Sequence, residues 1–207
     1  MRITLFVYGT WGDLRPDVVL GMGLQAAGHV VQIVASPGYE AWVRARNLGF
    51  YPLTDDIQKL IAANSNRVSN NPVQQIQLMR EVVSPALTRM GLDVLEATRD
   101  SDALMTVEFG VSLLLDVLQM NDLRTIIINP APLTPTRKFA SAAAPPMPGW
   151  FPLQKLYNRF SYTFVQRLQW WLLGRPRNEL RKKHLGLPKS TFKDFQAALA
   201  AAPCMIG

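Results

Sequence analysis

The sequence predicts an α/β fold: a Rossmann-like parallel sheet with helices on both faces, followed by C-terminal helices. Three observations lead there. Short β-branched runs alternate with longer helical patterns through the first two thirds of the chain, which is the rhythm of βαβ units rather than of a bundle or sandwich. The short runs are nearly continuous in apolar residues, as strands covered on both faces require. A length of 207 residues, 48% hydrophobic and 18% charged, is enough to bury a core as one large domain over residues 1–207.

The first strand is read in "RITLFVY" (2–8) and is followed by the helix of "RPDVVLGMGLQAAGH", with Pro16 at its N-terminus and Gly28 as its C-terminal stop. That helix contains "GMGLQA", which spells a dinucleotide fingerprint. A fingerprint works only where its glycines form the turn directly after a strand, so a nucleotide-dependent oxidoreductase is disfavoured. Gly21 and Gly23 are instead expected to let the helix pack closely on the sheet. Further strands are read in "VVQIVA" (30–35), "FYPL" (50–53), "ALMTV" (103–107) and "TIIIN" (125–129).

Residues 54–72 are polar and read as a mobile loop or short helix, a stretch of the kind that often carries specificity. A helix is expected over 73–98, kinked or split by Pro85. Residues 129–149 hold six of the fifteen prolines and read as an extended surface loop. Helical texture returns from Trp150 in "WFPLQKLYNRFSYTFVQRLQWWLLGR" and then "PRNELRKKHLGL", so 150–200 forms a basic helical segment. The closing "AAPCMIG" reads as the start of another strand, and with it the expectation that the chain is part of a longer protein.

Cys204 is the sole cysteine and no Cys/His cluster has zinc-ligand spacing, so the expectation is a reducing compartment, no metal, and a small buried apolar role for Cys204. The N-terminal apolar run is too short for a signal peptide. "GVSLLLDVLQM" (110–120) is interrupted by Asp116, so no segment reads as a spanning helix. A soluble or membrane-peripheral cytoplasmic protein is expected. Between Phe151 and Lys193 stand ten Lys and Arg against the single acid Glu179, a local +9 in a chain of net +7, which leaves −2 on the remainder. Such a field attracts anionic surfaces without choosing among them.

The loop "GTWGD" (9–13) sits at a carboxyl strand end, where parallel sheets bind ligands. Gly9 and Gly12 would permit tight backbone and close ligand approach. Asp13 is either an N-cap for the following helix or a functional carboxylate. Glu108, at the end of the fourth strand, is a site carboxylate or a helix cap. His29 is assigned a structural hydrogen bond and His184 a place on a solvated basic helix. The stripe in "FVQRLQWWLL" is core or a membrane-interface contact.

Residues 1–53, from "MRITLFVYGTWGDLRPDVVLGMGLQAAGHVV" to "NLGFYPL", resemble the N-terminal domain of two-domain (GT-B fold) glycosyltransferases, in particular the sterol glucosyltransferase and glycopeptide-antibiotic groups. Those sequences open with a strand, a loop G-[ST]-R-G-D-x-x-P, a helix A-L-G-x-x-L-x-x-A-G-H, a strand, and a segment ending G-[LF]-x-F-x-P-[LI]. "PLTPTRKFA" (132–140) is similar to their proline-threonine loop and "RNELRKKHLGLP" (177–188) to their helix before the interdomain strand.

The resemblance implies inverting transfer from a nucleotide-sugar donor to a hydroxyl of an apolar acceptor, with no cofactor, metal or nucleic acid. It places the general base on Asp13 and the donor phosphates near Thr10 and Gly12. Trp11 stands where the family has arginine and would line the acceptor site with Glu108 and Thr134. An anionic membrane surface is a further expected partner. The family's donor-binding domain is absent from these residues, so the chain alone is expected to be inactive. The alternative is a stand-alone acceptor-binding module, or one that works with a separate donor-binding partner.

Overall fold

The computed structural model describes residues 1–64, 77, 81–82, 84–107, 114, 116, 120, 123–129, 135–145, 147–148, 150, 152–201 and 203–206. The apolar runs pair as strands β1 (Arg2–Phe6), β2 (Val30–Ala35), β3 (Gly49–Pro52), β4 (Ala103–Thr106), β5 (Arg124–Asn129) and β6 (Cys204–Ile206). They form one sheet in the order β3-β2-β1-β4-β5-β6, with every pairing parallel. The five strands read from sequence lie within two residues of these bounds, and "PCMI" supplies the sixth. The side chain of Cys204 lies outside the described residues.

The chain moves outward from β1 to β3 and then returns to place β4 on the other side of β1. The order therefore reverses between β1 and β4, the position where open parallel sheets bind ligands. The two strands stay zipped to their ends: Phe6 is opposite Thr106 in the register, and the buried Thr106 Oγ1 donates to the Phe6 carbonyl at 2.9 Å.

Helices cover both faces. Helix α1 spans Trp11–Ala26, α2 Glu40–Arg44 after a 3₁₀ turn at Pro37–Tyr39, α3 Ile57–Ala63, α4 Ser84–Ala97, α5 Gln154–Lys183 and α6 Phe192–Ala201. Side chains alternate across β1. Ile3, Leu5 and Val7 enter a core with Leu14, Val18 and Ile33, whereas Phe6 enters a second core with Met90, Val94, Leu173 and Phe195.

Helix α1 begins earlier than Pro16 suggests, because Thr10 rather than a later residue caps it, and Pro16 lies inside the helix. It ends as expected. The Gly28 amide bonds the Gln25 carbonyl, the His29 amide reaches back to Leu24, and Gly28 has φ +86°, the paired bonds of a Schellman stop. A Cβ on Gly21 would sit 3.2–3.3 Å from Leu5, Val31 and Leu48, so the absence of a side chain there sets how closely α1 rides on the sheet. Gly23 is exposed with nothing within 4 Å, and the packing role expected for it does not hold.

Pro85 is the second residue of α4, where its missing N–H has no helical partner to lose; residues 73–76 and 78–80 lie outside the described set. Within 129–149, the described residues after β5 form neither helix nor strand. They are held against α5: Asn158 Nδ2 donates to the Arg137 carbonyl at 3.0 Å and the Ser141 amide to Ser161 Oγ at 2.8 Å.

Helix α5 runs for 30 residues straight through Pro176. It approaches α4 closely because position 91 is glycine, where a Cβ would lie 2.8 Å from Leu180. Asp116, the residue that interrupts the apolar run at 110–120, is fully buried. It accepts from Arg177 Nε at 2.7 Å and Nη2 at 2.9 Å, and from Arg181 Nη1. Arg177 and Arg181 are thus buried structural cations, which corrects their inclusion in the positive surface field.

Candidate active site

The turn from β1 into α1 places four consecutive exposed residues, Thr10, Trp11, Gly12 and Asp13, at the carboxyl end of the central strand. Thr10 is the N-cap. Its Oγ1 accepts from the Gly12 amide at 3.2 Å, and Asp13 reaches back so that Oδ2 accepts from the Thr10 amide at 2.7 Å and from Thr10 Oγ1 at 3.3 Å. This is a capping box closed by aspartate in place of glutamate. Asp13 is therefore not the N-cap that one sequence reading made it; it is the third helical residue, and its carboxylate is oriented by the cap. Among the described residues none donates to Asp13 Oδ1.

Gly9 makes that orientation achievable. Its φ is +144°, and a Cβ there would lie 2.2 Å from Asp13 Oδ2, so any side chain would push the carboxylate out of the box. Gly12 has no such requirement: it is helical, and a Cβ would meet only Thr10 Oγ1 at 3.4 Å. The tight backbone expected at both glycines belongs to Gly9 alone.

The loop is braced by residues after β2. Tyr39 donates its hydroxyl to the Gly9 carbonyl at 3.2 Å. Trp11, 40% exposed, stands edge-on to Tyr39 at 4.7 Å and to Trp42 at 5.4 Å between ring centroids. The Arg46 guanidinium covers Trp42 at 3.6 Å, within cation–π range. The result is an aromatic cluster that packs on the first turn of α1. Trp11 was anticipated, but Tyr39 and Trp42 were missed, because only the parallel pairing of β1 with β2 brings residues so distant in sequence to one edge.

Asp17 was also missed, although its spacing of four from Asp13 puts both carboxylates on one helix face. It is half-buried, and burial, with the Asp13 charge second, pushes its carboxyl up to about 6.

Glu108 and Thr134 lie outside the described residues. His29 donates its backbone amide, but among the described residues its buried Nδ1 finds no hydrogen-bond partner, so no described residue supplies the structural hydrogen bond expected of the side chain at that atom. His184 is an exposed residue at the end of α5, in keeping with a solvated basic helix.

Comparison with known proteins agrees with the fold. Residues 3–104 match the glycosyltransferase family 28 N-terminal domain. A sterol 3-beta-glucosyltransferase of Arabidopsis thaliana is 25% identical over 214 residues, covering 98% of this chain and 33% of that protein. The chain spans a third or less of the length of the first sterol glucosyltransferases it matches. Among solved structures, the glycosyltransferase of kitacinnamycin superposes with TM-score 0.58 at 15% identity, over 99% of this chain and 45% of that one. SsfS6, a glycosyltransferase of Streptomyces sp. SF2575 complexed with thymidine diphosphate, superposes with TM-score 0.53 at 18% identity, over 91% of this chain and 46% of that one. The Rossmann-like architecture expected from the resemblance is the one observed.

Proposed function

We propose, from a chain whose residues 3–104 carry the glycosyltransferase family 28 N-terminal domain, that it forms the acceptor side of an inverting glycosyltransferase. The donor in this reading is a nucleotide sugar, held mainly by a second domain, and the acceptor is an apolar molecule bearing a hydroxyl. The observation that carries the proposal is the state of Asp13: one carboxylate oxygen is tied to Thr10, while no described residue donates to the other, and the side chain is exposed at the sheet's switch point.

An alcohol is a poor nucleophile until its proton is removed. With Oδ2 anchored, Asp13 Oδ1 accepts the acceptor hydroxyl proton as the oxygen bonds to the anomeric carbon and the nucleoside diphosphate leaves from the opposite face. Thr10 and Gly12 border the donor phosphates, and Trp11, backed by Tyr39 and Trp42, forms an apolar wall for the acceptor. Glu108 and Thr134 complete the acceptor side in this reading.

Two substitutions separate capping from catalysis. Asp13→Asn retains an oxygen that can accept from the Thr10 amide, so stability should change little, while turnover of the enzyme containing this domain falls on the order of 10²-fold or more. Asp13→Ala should lose the same activity and in addition ~1 kcal/mol of stability. Near-wild-type turnover in a folded Asp13→Asn protein would overturn the assignment of Asp13 as the base, whereas absence of turnover in the wild-type domain joined to a donor-binding domain would favour a non-catalytic acceptor-binding module.

A further inference from the structure

Helix α5 is apolar on two opposite sides. Its inner side, including Tyr162, Leu173, Pro176 and Leu180, is buried against the fold. On the outer side Leu153, Leu156, Phe160, Phe164, Leu168 and Trp171 recur every three or four residues, and each is 43–60% exposed. At 100° per residue this row points nearly opposite to the buried one, and at 1.5 Å per residue it extends for about 27 Å. Single exposed apolar residues need no explanation, but a continuous row of this size marks a surface that meets something.

The charges identify what it meets. From Leu123 through Asn178 the sequence contains no Asp or Glu. Lys155, Arg159, Arg167 and Arg175 stand exposed on the same helix. The loop held against α5 adds Arg137, Lys138 and the 44% exposed Phe139, whose carbonyl accepts from Tyr162 Oη at 3.4 Å. A second copy of the chain would bring cations against cations with no acid in that stretch to answer them.

We propose that this face docks on an anionic lipid bilayer, with α5 lying parallel to the surface. The apolar row enters the boundary between headgroups and acyl chains, and Arg159, Arg167 and Arg175 at its flanks reach lipid phosphates. Among the described residues no helix is long and apolar enough to cross a membrane, so the helix lies on the bilayer and does not span it. The surface takes Phe164, Leu168 and Trp171 from the stripe in "FVQRLQWWLL", while Trp170 turns inward against Phe195 at 5.6 Å, and Gly174 leaves room for it. Docking is independent of proton transfer at Asp13, so either proposal can fail alone.

The test is co-sedimentation of the full chain with phosphatidylcholine vesicles, with and without phosphatidylglycerol, across a salt series. Sedimentation should require the anionic lipid and weaken as salt rises. Phe160→Ser with Phe164→Ser should lower partitioning on the order of ten-fold or more, and Arg159→Gln with Arg167→Gln and Arg175→Gln should weaken binding to the anionic vesicles. All five positions are exposed, so unchanged circular dichroism is expected of both variants. As a measurement on the unaltered chain, the summed emission of its five tryptophans, Trp171 on the docking face among them, should shift to the blue and be partly quenched by lipids brominated near the headgroup, and a Trp171→Phe chain should lose most of that change. The proposal is overturned if the chain stays in the supernatant with anionic vesicles at low salt, or if the phenylalanine variant sediments like the wild type. A lipid-free dimer that the same variant dissociates would also overturn it, assigning the face to a second copy.

Discussion

At the residue scale, the site depends on which backbone and side-chain groups Asp13 is allowed to reach. Gly9→Ala would force a side chain into a left-handed φ and into the space of Asp13 Oδ2, so a loss of ~1–3 kcal/mol is expected, read as a shift in the urea midpoint. Asp17 gives the site a pH dependence of definite sign. Its pKa, raised to about 6 chiefly by burial and then by the Asp13 charge, compares with an ordinary 3.8. Between these values the folded state holds a proton that the unfolded state has released, so this group's contribution to stability falls as pH rises from about 4 to about 6 and is fully lost above. Asp17→Asn should therefore gain on the wild type across that window, by at most ~3 kcal/mol at pH 7. Urea melts that give a constant difference between the two proteins from pH 4 to pH 7 would show that Asp17 titrates normally. The Asp13–Asp17 spacing was open to inspection in the sequence, but the burial that makes Asp17 unusual was not, since it depends on what packs over α1.

At the element scale, the strands and the helical character of 150–200 were legible, but which side of α5 meets the core was not, for one physical reason. A parallel strand covered on both faces is a short block of apolar residues whatever its neighbours do, and β1 to β5 therefore announce themselves. In α5 the inner and outer rows are both apolar, so the 3.6-residue period is blurred and Trp170 cannot be told from Trp171, though one packs on Phe195 and the other is 60% exposed. The charges behave likewise: Arg177 and Arg181 read as solvated cations until the fold brings Asp116 between them. Removing one partner from a buried ion group leaves uncompensated charge, so Asp116→Ala should cost ~3–5 kcal/mol. Replacing Asp116, Arg177 and Arg181 together by apolar residues of similar size should recover most of that loss in chemical denaturation. If the single variant is as stable as the wild type, the triad does not hold α5 in place.

At the scale of the whole molecule, the sheet presents a ligand-binding edge of which this chain builds one wall. The loop at Thr10 to Asp13 offers a carboxylate, a hydroxyl and an aromatic face, but within it the Thr10 and Gly12 amides that could meet a phosphate are engaged by the capping box. No exposed arginine stands at position 11, where the resembling family has one. A diphosphate therefore finds little here to offset its lost hydration and freedom of motion. The 207-residue chain should accordingly bind a nucleotide sugar no more tightly than ~1 mM, equivalent to about 4 kcal/mol, whereas joining it to a donor-binding domain should bring affinity into the micromolar range. Isothermal titration of uridine and thymidine diphosphate sugars into the chain alone measures this directly. Micromolar binding by these residues alone would mean that one wall suffices, and would make the chain a self-sufficient nucleotide-sugar site.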